Sequence, residues 1–110
     1  MEATVQTTRA IADLDPLKAA SQNYVLLIEN RHVRVYRIII KPGEKVAMHS
    51  NGASVIYVFN DGRIKHTYPD GTIRETEAVA GTVVWDEAET HETENVGTTD
   101  IHSLKVELKV

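Results

Sequence analysis

Turn signals recur about every ten residues along this chain, and that spacing limits the fold more than any other feature. Glu29-Asn30-Arg31-His32, Pro42-Gly43, Asn60-Asp61-Gly62, Pro69-Asp70-Gly71, Ala80-Gly81 and Val96-Gly97-Thr98-Thr99-Asp100 each interrupt a β-prone run. Between them lie Tyr24–Ile28, Val33–Ile40, a stretch from Pro42-Gly43 to Gly52, Ser54–Phe59, Arg63–Tyr68, Thr72–Val79, Thr82–Trp85, Thr90–Asn95 and His102–Val110. Thr82–Trp85 reads as short and buried in character, and Asp86 to Thr90 as an acidic loop. These runs are rich in β-branched and aromatic residues, which suit a pleated, half-buried surface. About eight to ten short strands with no good helix predict an all-β sandwich or barrel. Closing the sheet would also remove exposed strand edges.

The 110 residues are one domain by length. Residues 1–20 are polar and loosely patterned, with at most a helical turn over Ile11–Leu14 and a break at Asp15-Pro16. They are read as an N-terminal arm, and residues 21–110 as the barrel domain. Twelve Lys and Arg stand against 16 Asp and Glu without a basic patch, which argues against a nucleic-acid partner. No continuous apolar run marks a signal peptide or a membrane span, so a cytoplasmic protein with no membrane partner is expected. There is no cysteine, which excludes disulfides, thiolate catalysis and Cys-based metal sites. His, Asp, Glu and Asn remain as metal ligands, and they suit Fe, Mn, Ni or Zn.

Strand alternation sorts the five histidines. In the stretch ending at Gly52, Ala47, His49 and Asn51 share a face, which sets an imidazole beside a carboxamide. Ile64, His66 and Tyr68 oppose Arg63, Lys65 and Thr67. His91, Thr93 and Asn95 oppose Glu92 and Glu94. The last strand has the clearest pattern, with His102, Leu104, Val106, Leu108 and Val110 on one face and Ser103, Lys105, Glu107 and Lys109 on the other. His49, His66, His91 and His102 are therefore expected inside, and His32 in a solvated turn. A hairpin centred near Gly97-Thr98 would set His102 diagonal to His91, about 7–8 Å away between backbones. A buried imidazole needs partners for its ring nitrogens. Either one metal serves several histidines, or each has its own Thr, Tyr or water partner.

Two sets of residues resemble the motifs of the cupin superfamily. Pro42-Gly43, His49 and Asn60-Asp61-Gly62 are similar to the first motif, which runs from a Pro-Gly turn through His-x-His and a Glu to a closing Gly. Ala80-Gly81, His91 and Asn95-Val96-Gly97 are similar to the second. The resemblance to small single-domain bacterial cupins spans residues 15 to 110. It implies a cupin β-barrel (a double-stranded β-helix of jelly-roll type), often a homodimer. It makes His49 and His91 metal ligands. Asn51 stands where the second histidine of the first motif would be, and Val55 where its glutamate would be. A third ligand would have to come from His102, His66 or Asn51.

Two functional expectations follow. One is a metal-dependent dioxygenase or isomerase acting on a small oxygenated molecule, with His49, His91 and His102 on the metal. In that case Tyr57 either acts as an acid or orients the substrate, or else fills the barrel, and Trp85 is either a stacking platform or core. The other is a non-catalytic, metal-poor barrel that binds a small ligand, with Asn51 among the residues that touch it.

Overall fold

The structure is a computed structural model that describes residues 14–109. Of the expected arm, residues 1–13 lie outside the described residues, as does Val110. The elements are α1 (Pro16–Ala19), β1 (Tyr24–Glu29), β2 (Val33–Ile40), β3 (Lys45–Asn51), β4 (Ser54–Val58), β5 (Gly62–Thr67), β6 (Ile73–Ala78), β7 (Val83–Asp86), β8 (Glu89–Asn95) and β9 (Ile101–Leu108). Asp15-Pro16 is a helix start rather than a simple break. The Asp15 carboxylate accepts from the Leu17 N–H at 2.9 Å, and Pro16 takes the first helical position, where a missing N–H costs nothing. Among the described residues, no helix is long and apolar enough to cross a membrane.

The strands form two antiparallel sheets, β1-β2-β9-β4-β7 and β3-β8-β5-β6. The all-β expectation holds, and the β1–β2 and β5–β6 hairpins form where their turn residues place them. Every other connection crosses from one sheet to the other. Asn60-Asp61 and residues 96–100 therefore carry crossovers, not hairpins. β9 pairs with β2 and β4, and β8 with β3 and β5, so the register that set His102 beside His91 does not exist. The core lies between the sheets, around Tyr24, Tyr36, Ile38, Ile40, Val46 and Ile101, with Leu17 of α1 packed against it. Tyr36 is 0% exposed and meets Tyr24 edge to face at 5.1 Å between ring centres.

β9 turns the opposite way from its expected orientation. Ile101, Ser103, Lys105 and Glu107 are buried, while His102, Leu104, Val106 and Leu108 are only partly so. Alternation separates two faces but does not say which of them meets the core. The register with β2 sets Lys105 opposite Tyr36 and Ser103 opposite Ile38, and both of those partners point inward. β7 corrects another expectation. It is an edge strand and largely exposed, not a buried one.

The β8–β9 crossover is pinned by a side chain. Asn95 is fully buried, and its Nδ2 donates to the Ile40 carbonyl at 2.9 Å and the Thr99 carbonyl at 2.8 Å. Its Oδ1 accepts from the Gly97 N–H at 2.9 Å. One carboxamide thus satisfies three backbone groups where the chain changes sheets. Asn95→Ala leaves all three without that partner and is expected to cost about 3 kcal/mol or more. Urea unfolding followed by fluorescence measures it, and a loss under about 1 kcal/mol would show that the crossover holds without the amide.

Candidate functional site

The site is built on a β-bulge. Val46 of β3 pairs with Thr93, yet His49 pairs with His91, so three steps along β3 match two along β8. The extra residue falls at Ala47-Met48 and reverses the parity of the strand. Val46 and His49 both point inward, and Ala47 is exposed rather than sharing their face. His49 and Asn51 keep their expected common face and are both buried.

His49 is 1% exposed, and the protein engages both of its ring nitrogens. Nδ1 lies 2.7 Å from the Ala47 carbonyl of the bulge. A carbonyl only accepts, so Nδ1 carries the proton and Nε2 the lone pair. The Tyr24 hydroxyl meets that lone pair at 3.2 Å. It also lies 3.4 Å from Asn51 Oδ1, and one hydroxyl proton cannot serve both acceptors. Turning the Asn51 amide over gives a consistent chain, in which Asn51 donates to Tyr24 and Tyr24 donates to His49. It also finds an acceptor for Asn51 Nδ2, which otherwise has no partner. Burial pushes the Tyr24 hydroxyl up, so it stays protonated and able to donate.

His66 and His91 stack, with ring centres 4.2 Å apart and planes 18° from parallel. His49 meets His91 edge to face at 5.0 Å. His66 therefore belongs to the cluster, with His91 between it and His49. The reason is its place on β5, opposite Thr93 and diagonal to His91. Its Nδ1 lies 3.2 Å from the Thr93 hydroxyl. His91 Nδ1 lies 3.2 Å from the Glu89 carboxylate, which also accepts from the Tyr68 hydroxyl. Burial, followed by the charge of neighbouring cations, lowers His66 to about 4; burial and then its neighbours His66 and His49 lower His91 to about 2. His49 is lowered too, mainly by burial.

The other expected site residues do not join the imidazole cluster. His102 belongs to the outward set of β9, with its ring against Phe59 at 4.6 Å and its Nε2 buried without a partner among the described residues, although its position borders the cavity. Tyr57 and Trp85 are on the outer face of the five-stranded sheet, 40% and 50% exposed, and Trp85 donates to Glu87. Both are neither cavity wall nor core, because β4 alternates and its inward residues are Ser54, Ile56 and Val58. Val55 points outward with Tyr57, so the inward place nearest the missing glutamate is filled by Ile56. Between the sheets lies a cavity of about 340 Å³, lined by His49, His66, His91, Thr93, Lys105 and a larger set of aliphatic side chains. Lys105 was not expected there, because reading β9 with its apolar face inward placed it in solvent.

The double-sheet architecture and its histidine cluster can be set beside known structures. A cupin domain from Bordetella pertussis superposes with a TM-score of 0.71 at 20% identity, over 79% of this chain and 92% of that one. An RmlC-like cupin with a double-stranded β-helix from Methanocaldococcus jannaschii gives 0.60 at 16% identity, over 77% of each chain. This is a cupin fold. A predicted oxalate decarboxylase from Thermotoga maritima shares it with a TM-score of 0.56 at 24% identity, over 79% of each chain. The sequence matches no family model and no curated protein.

The donors in this cupin barrel do not fit a metal. Ligating imidazoles place the metal in the ring plane at about 2.0–2.1 Å. The His66 and His91 rings are stacked and nearly parallel, so the two ring planes in which a shared metal would have to lie do not meet between them. The His49 lone pair is taken by Tyr24. Among the described residues, no group of three or more His, Asp or Glu side chains is arranged to hold an ion.

These imidazoles are neutral in the folded protein and would ionise near 6.5 when unfolded. Lowered folded values mean that the unfolded chain binds more protons below pH 6.5. Stability is then fully present above about pH 6.5 and falls toward about 4 for His66 and about 2 for His91. Each contributes a slope of up to about 1.4 kcal/mol per pH unit in that window. Urea unfolding between pH 7.5 and 5 should show the decline, and His66→Gln should make it shallower. A flat profile would contradict the buried neutral state.

Proposed function

We propose that this protein is a small-ligand-binding barrel that works without a tightly held metal. The observation that carries this reading is the engagement of both His49 nitrogens by protein atoms, Ala47 O and the Tyr24 hydroxyl. The histidine that would anchor a metal is instead part of the wall. Its neutral neighbours and Thr93 offer hydrogen bonds at one end of a mainly aliphatic cavity, an arrangement suited to an organic molecule with a polar end. The metal-dependent dioxygenase or isomerase reading would need donors that converge, and these do not.

Protein purified without an affinity tag or chelator tests this. Elemental analysis should find Fe, Mn, Ni and Zn well below one ion per chain, unchanged by His91→Ala. Near-stoichiometric metal that His91→Ala removes would overturn the reading. Fragment-sized ligands titrated against isotope-labelled protein should move the amide signals of Val46, His66 and Ser103, and leave those of Tyr57 and Trp85 in place.

The partner we infer is a second copy of this chain. Val55, Tyr57, Phe59, Val83 and Trp85 are exposed on one continuous outer face of the five-stranded sheet, beside Leu104 and Val106. Apolar surface of this kind on one face marks an interaction site, and a sheet face that meets its own copy closes in a two-fold pair. Light scattering should report twice the chain mass of 12.3 kDa. Trp85→Glu combined with Tyr57→Glu should shift the protein to monomer. A wild-type monomer at high concentration would refute the pairing.

A further inference from the structure

Lys105 is a buried lysine on the inward face of β9. It sits in the middle of β9, between Tyr36 of β2 and Ile56 of β4, and is 4% exposed. It lines the cavity. Among the described residues, no hydrogen bond or ion pair reaches its ammonium. Burial lowers its proton affinity, and the charges of Asp86, Glu107 and Glu89 work against that from a distance. Two of the three are engaged elsewhere, and none is within ion-pair distance. Glu107 accepts from the Tyr36 hydroxyl at 3.4 Å and from the Gly52 N–H. Glu89 is held by Tyr68, His91 and Arg74. Asp86 stands level with Ser54 and Glu107, one inward position beyond Lys105 along the sheet. A buried cation without a close counter-charge is expensive unless something else supplies one.

Of those acids Asp86 also lines the cavity, as does Glu77, whereas Glu107 and Glu89 do not. Going away from Glu107, β9 contributes Ser103 and then Ile101 to its wall, whereas Glu107 does not line it. Ile38, Ile40, Val46 and Val58 close the same end. A ligand at that end, away from the row of Asp86, Ser54 and Glu107, meets the Lys105 ammonium, the Ser103 hydroxyl and aliphatic surface. Arg74 also lines the cavity, but its guanidinium is drawn to Glu89 and to the face of Tyr68. One unpaired cation matches a single negative charge, and aliphatic walls match an apolar body.

We infer that the cavity takes a small monocarboxylate with an apolar tail, its carboxylate paired with the Lys105 ammonium and its tail directed toward Ile101. This rests on the ligand-binding reading and adds the chemical class of the ligand. The pairing turns an uncompensated buried charge into an ion pair shielded from water, where it is strongest.

Calorimetric titration of the wild-type chain with benzoate and hexanoate, each beside its neutral isostere (benzamide and hexanamide), tests the inference. The carboxylates should bind at least about tenfold more tightly than the amides. Lys105→Met should lose that preference and, in ligand-free buffer, melt above the wild type, since it removes the unpaired charge. Equal binding of carboxylates and amides overturns the inference and leaves the ligand-binding reading standing. So does a preference for carboxylates that survives in Lys105→Met. If neither class binds, both readings fall. Should Lys105→Met not fold, the wild-type comparison of acid with amide still decides.

Discussion

One extra residue in β3 decides what this barrel can contain. Without the bulge at Ala47-Met48, Val46 and His49 would lie on opposite faces, and either the core would lose a buried valine or the cavity its histidine. With it, both point inward, and the bulge carbonyl is left free to accept from His49 Nδ1. That single bond sets the tautomer, the tautomer directs a lone pair at Tyr24, and Tyr24 in turn packs on Tyr36 at the centre of the core. Packing and polar chemistry are thereby joined in one chain of contacts from sheet to sheet. The histidine is held as firmly as a core residue because it is one.

The interior is divided by chemistry. At one end, Glu107, Tyr36 and the Gly52 N–H form a closed polar group whose members satisfy one another. At the other, Ile38, Ile40 and Ile101 provide an apolar wall. Lys105 lies between them, with the three neutral imidazoles across the cavity. Stacked neutral rings lose little by lying together, whereas adjacent charged ones would repel. The cluster therefore suits a dry interior better than a site meant to gather protons.

Much of this was legible in the residues. Turn chemistry at Pro69-Asp70-Gly71 and Asn30 placed two hairpins, and period-two alternation put His66, His91 and Thr93 on one face. Motif resemblance around Pro42-Gly43, His49 and His91 led to the right fold. What escaped was information that does not reside in any one strand. A bulge leaves no clear mark in the stretch from Val46 to His49, so the face of Ala47 was misread. Hairpin and crossover turns use the same residues, so Gly97-Thr98 looked like a hairpin and drew His102 into the wrong sheet. The outer face carries Tyr57, Phe59 and Trp85, residues that composition alone would assign to a core. The inner face carries Lys105 and Glu107, which it would assign to solvent.

β9 carries that inversion furthest. Its apolar set, Leu104, Val106 and Leu108, faces away from the core, and its polar set faces into it. A slip of one residue would exchange the two sets, and by burial of apolar area alone the slipped strand would be the better buried one. The strand's own pattern therefore argues against its native register. The register is kept instead by anchors at its two ends, the Asn95 amide that clamps the incoming crossover and the Glu107 carboxylate fastened to Gly52. Evolution of this chain is correspondingly asymmetric. Side chains on the outward face of β9 are not part of either anchor, while the number of residues between Asn95 and Ile101 is tied to both, and a change by one would invert the barrel's contents.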